Sequence, residues 1–255
     1  CFTFIGNAFP FCHICPFSIA KSFIGSSGQD DFRTAHFQIL RQFLHAKTLV
    51  HTERHDLQIA AAAGKHGEGF VLHAEKGRLP VILDPGLTFG TGSHATTRLC
   101  LKSLEKTVTK GMRVLDLGCG SGILSIAALR LGAKTAVGVD IDPKAEDIAR
   151  ENAAYNGFAS PEFTALTGNV TEDKALMAKL AEKQYDVLLV NIVADVIIAL
   201  SPVLPKFMTE KTTLICSGIL DVRLNDVIAA LSAAGLTVTQ VKQKEDWRCV
   251  TAKLP

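Results

Sequence analysis

Apolar positions along the chain change character near residue 80. Upstream, Phe32, Ala35, Phe37, Ile39, Leu40, Phe43 and Leu44 recur at helical spacing and predict an amphipathic helix over 32–49. Gly64, Gly67 and Gly69 then punctuate a loop before a short apolar run at 70–72. Downstream the order is stronger. An apolar run at 112–117 ends in Gly118-Cys-Gly-Ser-Gly122, and helical spacing follows over 123–131. A second β-branched run at 135–139 ends in Asp140. Asp142 and Pro143 supply a cap acceptor and a first-turn proline for the next helix, which Asn156-Gly157 closes. Residues 185–190 predict a buried strand, with a helix through Leu200; 212–216 predict another strand, with a helix over 222–234 ending at Gly235. The runs at 236–241 and 247–252 are too close for a parallel crossover, so they pair antiparallel. Strands alternating with helices give an α/β fold: a doubly wound, mostly parallel sheet with a C-terminal antiparallel hairpin.

Composition narrows the class. The 255 residues are 47% hydrophobic and 20% charged, which excludes a disordered tail and leaves one large or two ordinary domains. Lys+Arg number 27 against 25 Asp+Glu, and a net charge of +2 argues against nucleic-acid binding by bulk charge. Seven cysteines, an odd number scattered from Cys1 to Cys249, make no disulfide framework and point to a reducing, cytoplasmic setting. The first residue is Cys1 rather than Met, as in a fragment, a processed end or a misplaced start. The first 20 residues carry no Asp, Glu, Lys or Arg, yet Asn7, Pro10, His13 and Pro16 interrupt them and no basic segment leads them. No membrane role is expected. Cys12, Cys15, His36, His45, His51 and His55 lack the spacing of a zinc site, so no metal is expected.

The chemistry gathers at the glycines. A strand running into a Gly-rich turn and a helix sets a crevice at the strand's carboxyl end. Gly118, Gly120 and Gly122 let the backbone bend sharply and approach a ligand. Asp140, 20 residues past Gly120, ends the next strand, where a carboxylate accepts both hydroxyls of a ribose. A dinucleotide fold wants Gly-x-Gly-x-x-Gly to seat a pyrophosphate. Here Ile123 stands where that third glycine belongs. Gly-x-Gly-x-Gly resembles instead the first motif of class I methyltransferases, which bind S-adenosylmethionine.

Two further segments bear on the same question. The run Asp84-Pro-Gly-Leu-Thr-Phe-Gly-Thr-Gly-Ser-His-Ala-Thr-Thr97 is read either as a helix entrance capped by Ser93 or as a backbone cradle for the methionine end of a ligand. Asn191, ending an apolar run, is read either as a helix cap or as a side chain facing the crevice. Asp116 either orients the turn or reaches the ligand's amine. Cys119 is read as packing, Trp247 as core and Asn169 as a turn residue.

Residues 83–255 resemble the ribosomal protein L11 methyltransferase family. The carrying motifs are Leu83-Asp-Pro-Gly-Leu-Thr-Phe-Gly-Thr-Gly-Ser-His-Ala-Thr-Thr97, Leu115-Asp-Leu-Gly-Cys-Gly-Ser-Gly-Ile-Leu124, Gly138-Val-Asp-Ile-Asp-Pro143 and Asn191-Ile-Val-Ala-Asp195, continued by Ser217-Gly-Ile219 and Glu245-Asp-Trp247. The resemblance implies a seven-stranded Rossmann-like sheet and S-adenosyl-L-methionine as cofactor, released as S-adenosyl-L-homocysteine. It implies methylation of amino groups, lysine side chains or the N-terminal amine, on ribosomal protein L11 in the cytoplasm by a monomer. Cofactor contacts are expected from Phe89, Gly90, Thr91, Gly92, Thr97, Gly118, Gly120, Asp140 and Asn191, with Asn191 beside the transferring methyl. The expected organisation is an N-terminal recognition region over 1–66, a linker with Gly-rich loop and helix over 67–110, and a cofactor-binding core over 111–255. Residues 1 to about 65 do not align with the family's recognition domain, which leaves a class I methyltransferase acting on another protein or a small amine as an alternative. A nicotinamide dehydrogenase is disfavoured by the glycine spacing.

Overall fold

The computed structural model describes residues 46–51, 57–62, 79–84, 92 and 94–255, the first two segments by their backbone. Among these, the strands form two sheets. A small one joins β1 (Ala46–His51), β2 (Leu57–Ala62) and β3 (Leu79–Leu83), antiparallel between β1 and β2 and parallel between β2 and β3. The helix expected over 32–49 therefore ends in strand: residues 46–49 pair with β2 across Leu49 and Ala60. Cross-strand pairing overrides the local period there. The rest of that expected helix, the Gly64–Gly69 loop and the run at 70–72 lie outside the described residues.

The larger sheet holds β4 (Arg113–Leu117), β5 (Thr135–Asp140), β6 (Phe163–Thr167), β7 (Val187–Asn191), β8 (Thr213–Leu220), β9 (Thr237–Lys244) and β10 (Trp247–Lys253). Their spatial order is β6-β5-β4-β7-β8-β10-β9. The first five are parallel, and β10 slips between β8 and β9, antiparallel to both. The expected doubly wound sheet with its C-terminal hairpin is this one.

Side chains alternate across the sheet, so its central strands feed two cores. Val114, Val187, Leu189 and Ile215 face one side, under α1 (Ala95–Thr107), α2 (Ile123–Arg130) and α3 (Pro143–Tyr155). Leu115, Leu117, Leu188, Val190 and Leu214 face the other, under α4 (Lys174–Ala181), α5 (Ala194–Leu200) and α6 (Leu224–Ala233). Asp142 caps α3 as expected, its carboxylate accepting from Lys144 N at 2.9 Å. The helix expected over 222–234 begins as a 3₁₀ turn at Asp221–Arg223 before α6. Among the described residues no helix is long and apolar enough to cross a membrane.

Candidate functional site

A cavity of about 540 Å³ opens at the carboxyl ends of β4, β5, β7 and β8, where parallel strands leave a crevice between their crossovers. Its floor is the glycine turn. Gly118 sits at φ 77°, and a Cβ there would fall 2.4 Å from Ile192 Cγ2, so any other residue would strain the backbone and displace Ile192. The amides of Gly118 and Cys119 both donate to Val139 O, at 2.7 and 3.1 Å, which pins the turn to β5.

Asp140 completes that link. One carboxylate oxygen accepts from Gly120 N at 2.9 Å and the other from Asp142 N at 3.0 Å. A carboxylate has about four lone-pair directions, so each oxygen keeps one for a ligand. The side chain is part-exposed and lines the cavity.

Asp116 lies deeper, 1% exposed on β4. Its Oδ2 accepts from Ser125 Oγ at 2.8 Å, whereas Oδ1 is buried with no hydrogen-bond partner among the described residues. Burial raises its pKa from 3.8 to about 7, against the lowering effect of the Ser125 hydrogen bonds. Thr97, on the first turn of α1, is fully buried and its Oγ1 is likewise without a partner among those residues. Both side chains line the cavity. Unsatisfied buried polar atoms are costly, and two of them in one largely apolar cavity mark where a ligand's polar groups belong.

The N-cap of α1 is His94, not Ser93: its Nδ1 lies 2.9 Å from Thr96 Oγ1 and accepts from Thr96 N at 3.4 Å. Its ring meets the edge of Trp247 with centroids 4.9 Å apart, and both rings line the cavity. Trp247, expected in the core, is half-buried at this rim because β10 returns beside β8, pairing Trp247 with Leu220. That return is a long-range pairing with no local signature. Asn191 ends β7 and faces the cavity; the N-cap of α5 is Val193, so Asn191 does not act as that cap. Gly218, which follows Asn191's register partner Ser217 and sits at φ 90°, would place a Cβ 2.1 Å from the Ile192 carbonyl oxygen. Asn169 also lines the cavity, but its Oδ1 accepts from Thr171 N at 3.0 Å, the turn role expected of it. Cys119 is packing: its sulfur would lie 2.9 Å from a Cβ at Gly138, and burial pushes the thiol well up. Gly92 is buried at φ 80°, whereas Phe89, Gly90 and Thr91 lie outside the described residues.

The family model for ribosomal protein L11 methyltransferase (PrmA) matches residues 68–255. The chain belongs to this family. A ribosomal protein L11 methyltransferase from Agathobacter rectalis is 43% identical over 174 residues, 67% of this chain and 54% of that protein. One from Pelotomaculum thermopropionicum is 42% identical over 181 residues, 71% of this chain and 56% of its own length. The chain thus spans about half the length of the curated relatives it matches. Among solved structures, the ribosomal protein L11 methylase of Lactobacillus delbrueckii subsp. bulgaricus superposes with TM-score 0.68 at 27% identity, covering 82% of this chain and 98% of that one. The seven-stranded sheet is therefore the methyltransferase sheet of this family.

Proposed function

We propose that the cavity binds S-adenosylmethionine and that the chain transfers its methyl group to amino groups of ribosomal protein L11, on lysine side chains or the N-terminal amine. The observation that carries this is the pair of orphaned buried atoms, Asp116 Oδ1 and Thr97 Oγ1, in the same cavity as the Asp140 carboxylate. An anion deep in the cavity suits a cationic amine, and a second anion at the end of β5 suits two vicinal hydroxyls. That suits an amino acid joined to the 5′ carbon of an adenosine, not a pyrophosphate. The other members of the expected set, Phe89, Gly90, Thr91, Gly92, Gly118, Gly120 and Asn191, complete the proposed contacts.

The bound cofactor supplies a sulfonium-activated methyl and leaves as S-adenosylhomocysteine. The chain's own work is positioning. Asn191, at the cavity wall, holds the incoming nitrogen in line through its amide oxygen. The apolar wall around Ile192 and Val193 excludes water and favours the neutral amine over an ammonium whose reference pKa is about 10.4. Neither a metal nor a covalent nucleophile enters this scheme. A cytoplasmic monomer belongs to the same reading. Because the family match begins at residue 68, a different protein or small amine is the second reading of the substrate.

Methyl incorporation from labelled S-adenosylmethionine into purified L11 tests the proposal, with Asp140→Ala as control. Asp140-dependent label in L11 is the expected result. No label, with S-adenosylhomocysteine still bound, moves the substrate to the second reading; no binding removes the cofactor assignment.

A further inference from the structure

Two asparagines one turn apart, Asn152 on α3 and Asn156 at its C-cap, are buried outside the cavity. Asn156 holds one residue of β3, its Oδ1 accepting from Ile82 N at 2.9 Å and its Nδ2 donating to Ile82 O at 2.6 Å; the same Nδ2 donates to Asn152 O at 2.7 Å. That is a fastening of one strand to one helix. Asn152 does something different. Its Oδ1 accepts from Asp84 N at 2.7 Å, and its Nδ2 donates to Ser121 O at 2.9 Å. One end meets an N–H and the other a carbonyl, so the amide has one orientation that satisfies both.

The two backbone groups it joins are remote in sequence and both lead into the candidate site. Asp84 is where the chain leaves β3 toward Gly92 and α1, the helix that carries His94 and Thr97 at its start. Ser121 lies inside the glycine turn, next to Gly120, whose amide reaches Asp140 Oδ2. Asn152 is fully buried, so solvent cannot replace either bond.

We infer that Asn152 is a positioning residue that sets the glycine turn and the end of β3 together, and that cofactor affinity depends on it although it touches no part of the cavity. This rests on the proposed cofactor reading. A ligand that tightens the turn is then felt at the Asp84 amide through one side chain. Asn152→Asp keeps the acceptor for Asp84 N but sets a carboxylate oxygen against Ser121 O, so it disturbs the turn selectively. Asn152→Ala loses both bonds.

The test is titration of S-adenosylhomocysteine into the full chain and its variants at a temperature where melting curves show each folded. The expected result is at least tenfold weaker binding in Asn152→Asp and Asn152→Ala. Asn156→Ala, which releases Ile82 and the Asn152 carbonyl but neither bond of the Asn152 side chain, lowers the melting temperature and leaves affinity within twofold. Wild-type hydrogen exchange supplies a readout that needs no variant: S-adenosylhomocysteine slows exchange of the Asp84 amide along with the glycine-turn amides. Unchanged affinity in a folded Asn152 variant overturns the inference. So does equal weakening in Asn156→Ala, or an Asp84 amide that ignores the ligand. A wild-type chain that binds no S-adenosylhomocysteine overturns the cofactor reading itself, and this inference with it.

Discussion

Replacing Asp140 separates the turn contacts of its carboxylate from the ribose contact proposed for it. Its oxygens hold Gly120 N at 2.9 Å and Asp142 N at 3.0 Å, tying the glycine turn to the end of β5. With cofactor bound, the same oxygens would accept two ribose hydroxyls. Hydrogen bonds to a charged group contribute about 1.5–3 kcal/mol each, and the side chain is part-exposed, so the lower end applies. Two such bonds give about 3 kcal/mol, or a loss of roughly a hundredfold in affinity for Asp140→Ala. Asp140→Asn loses nearly as much, because whichever way the amide turns, its NH₂ faces a backbone N–H. Calorimetric titration of S-adenosylhomocysteine measures this, with a denaturant curve showing that each variant is folded. Affinity within twofold of wild type in Asp140→Ala would refute the ribose assignment. A variant that binds normally but unfolds at lower denaturant would leave Asp140 only its role in the turn.

Asp116→Asn should show opposite effects on stability and binding. Burial raises the folded carboxyl to about 7, while the unfolded group ionises near 4, so stability is full below pH 4 and falls as pH rises through 7. The asparagine variant should match wild type at pH 4 and exceed it at pH 8, by roughly 3–4 kcal/mol at most, yet bind S-adenosylhomocysteine more weakly at pH 8. Urea unfolding at the two pH values checks the first part, and equal pH dependence in both proteins contradicts it. If Asn191 positions the acceptor as proposed, Asn191→Ala should depress kcat at least tenfold with cofactor affinity within about threefold; equal losses in both would make it a plain cofactor contact. Gly218→Ala should cost several kcal/mol, because its Cβ would lie 2.1 Å from the Ile192 carbonyl oxygen at a φ of 90°. A melting temperature like wild type would show that the Ile192 backbone yields.

How much of this was legible in the sequence depended on whether a signal was local. Asp142-Pro143, Asn156-Gly157 and the glycine turn each declare themselves within a few residues, and α2, α3 and β5 fall where those signals put them. The wall of the site is assembled from a distance. Trp247 reaches the cavity because β10 inserts beside β8, and His94 caps α1 although serine is the stronger cap by preference. Asn152 reads as one more polar position in an amphipathic helix; only the arrival of Asp84 and Ser121 at its two ends makes it more than that. β1 shows the same effect in reverse, since residues 46–49 close the helix expected over 32–49 but pair with β2 in space.

The central claim, that this cavity holds S-adenosylmethionine through Asp116, Thr97 and Asp140, is tested most directly by a crystal structure of the chain with S-adenosylhomocysteine. The account predicts the ribose hydroxyls on the Asp140 carboxylate and the ligand's amine within hydrogen-bond distance of Asp116 Oδ1, with Thr97 Oγ1 engaged as well. A ligand seated elsewhere, or one in the cavity that leaves Asp116 Oδ1 and Thr97 Oγ1 without partners, would contradict it.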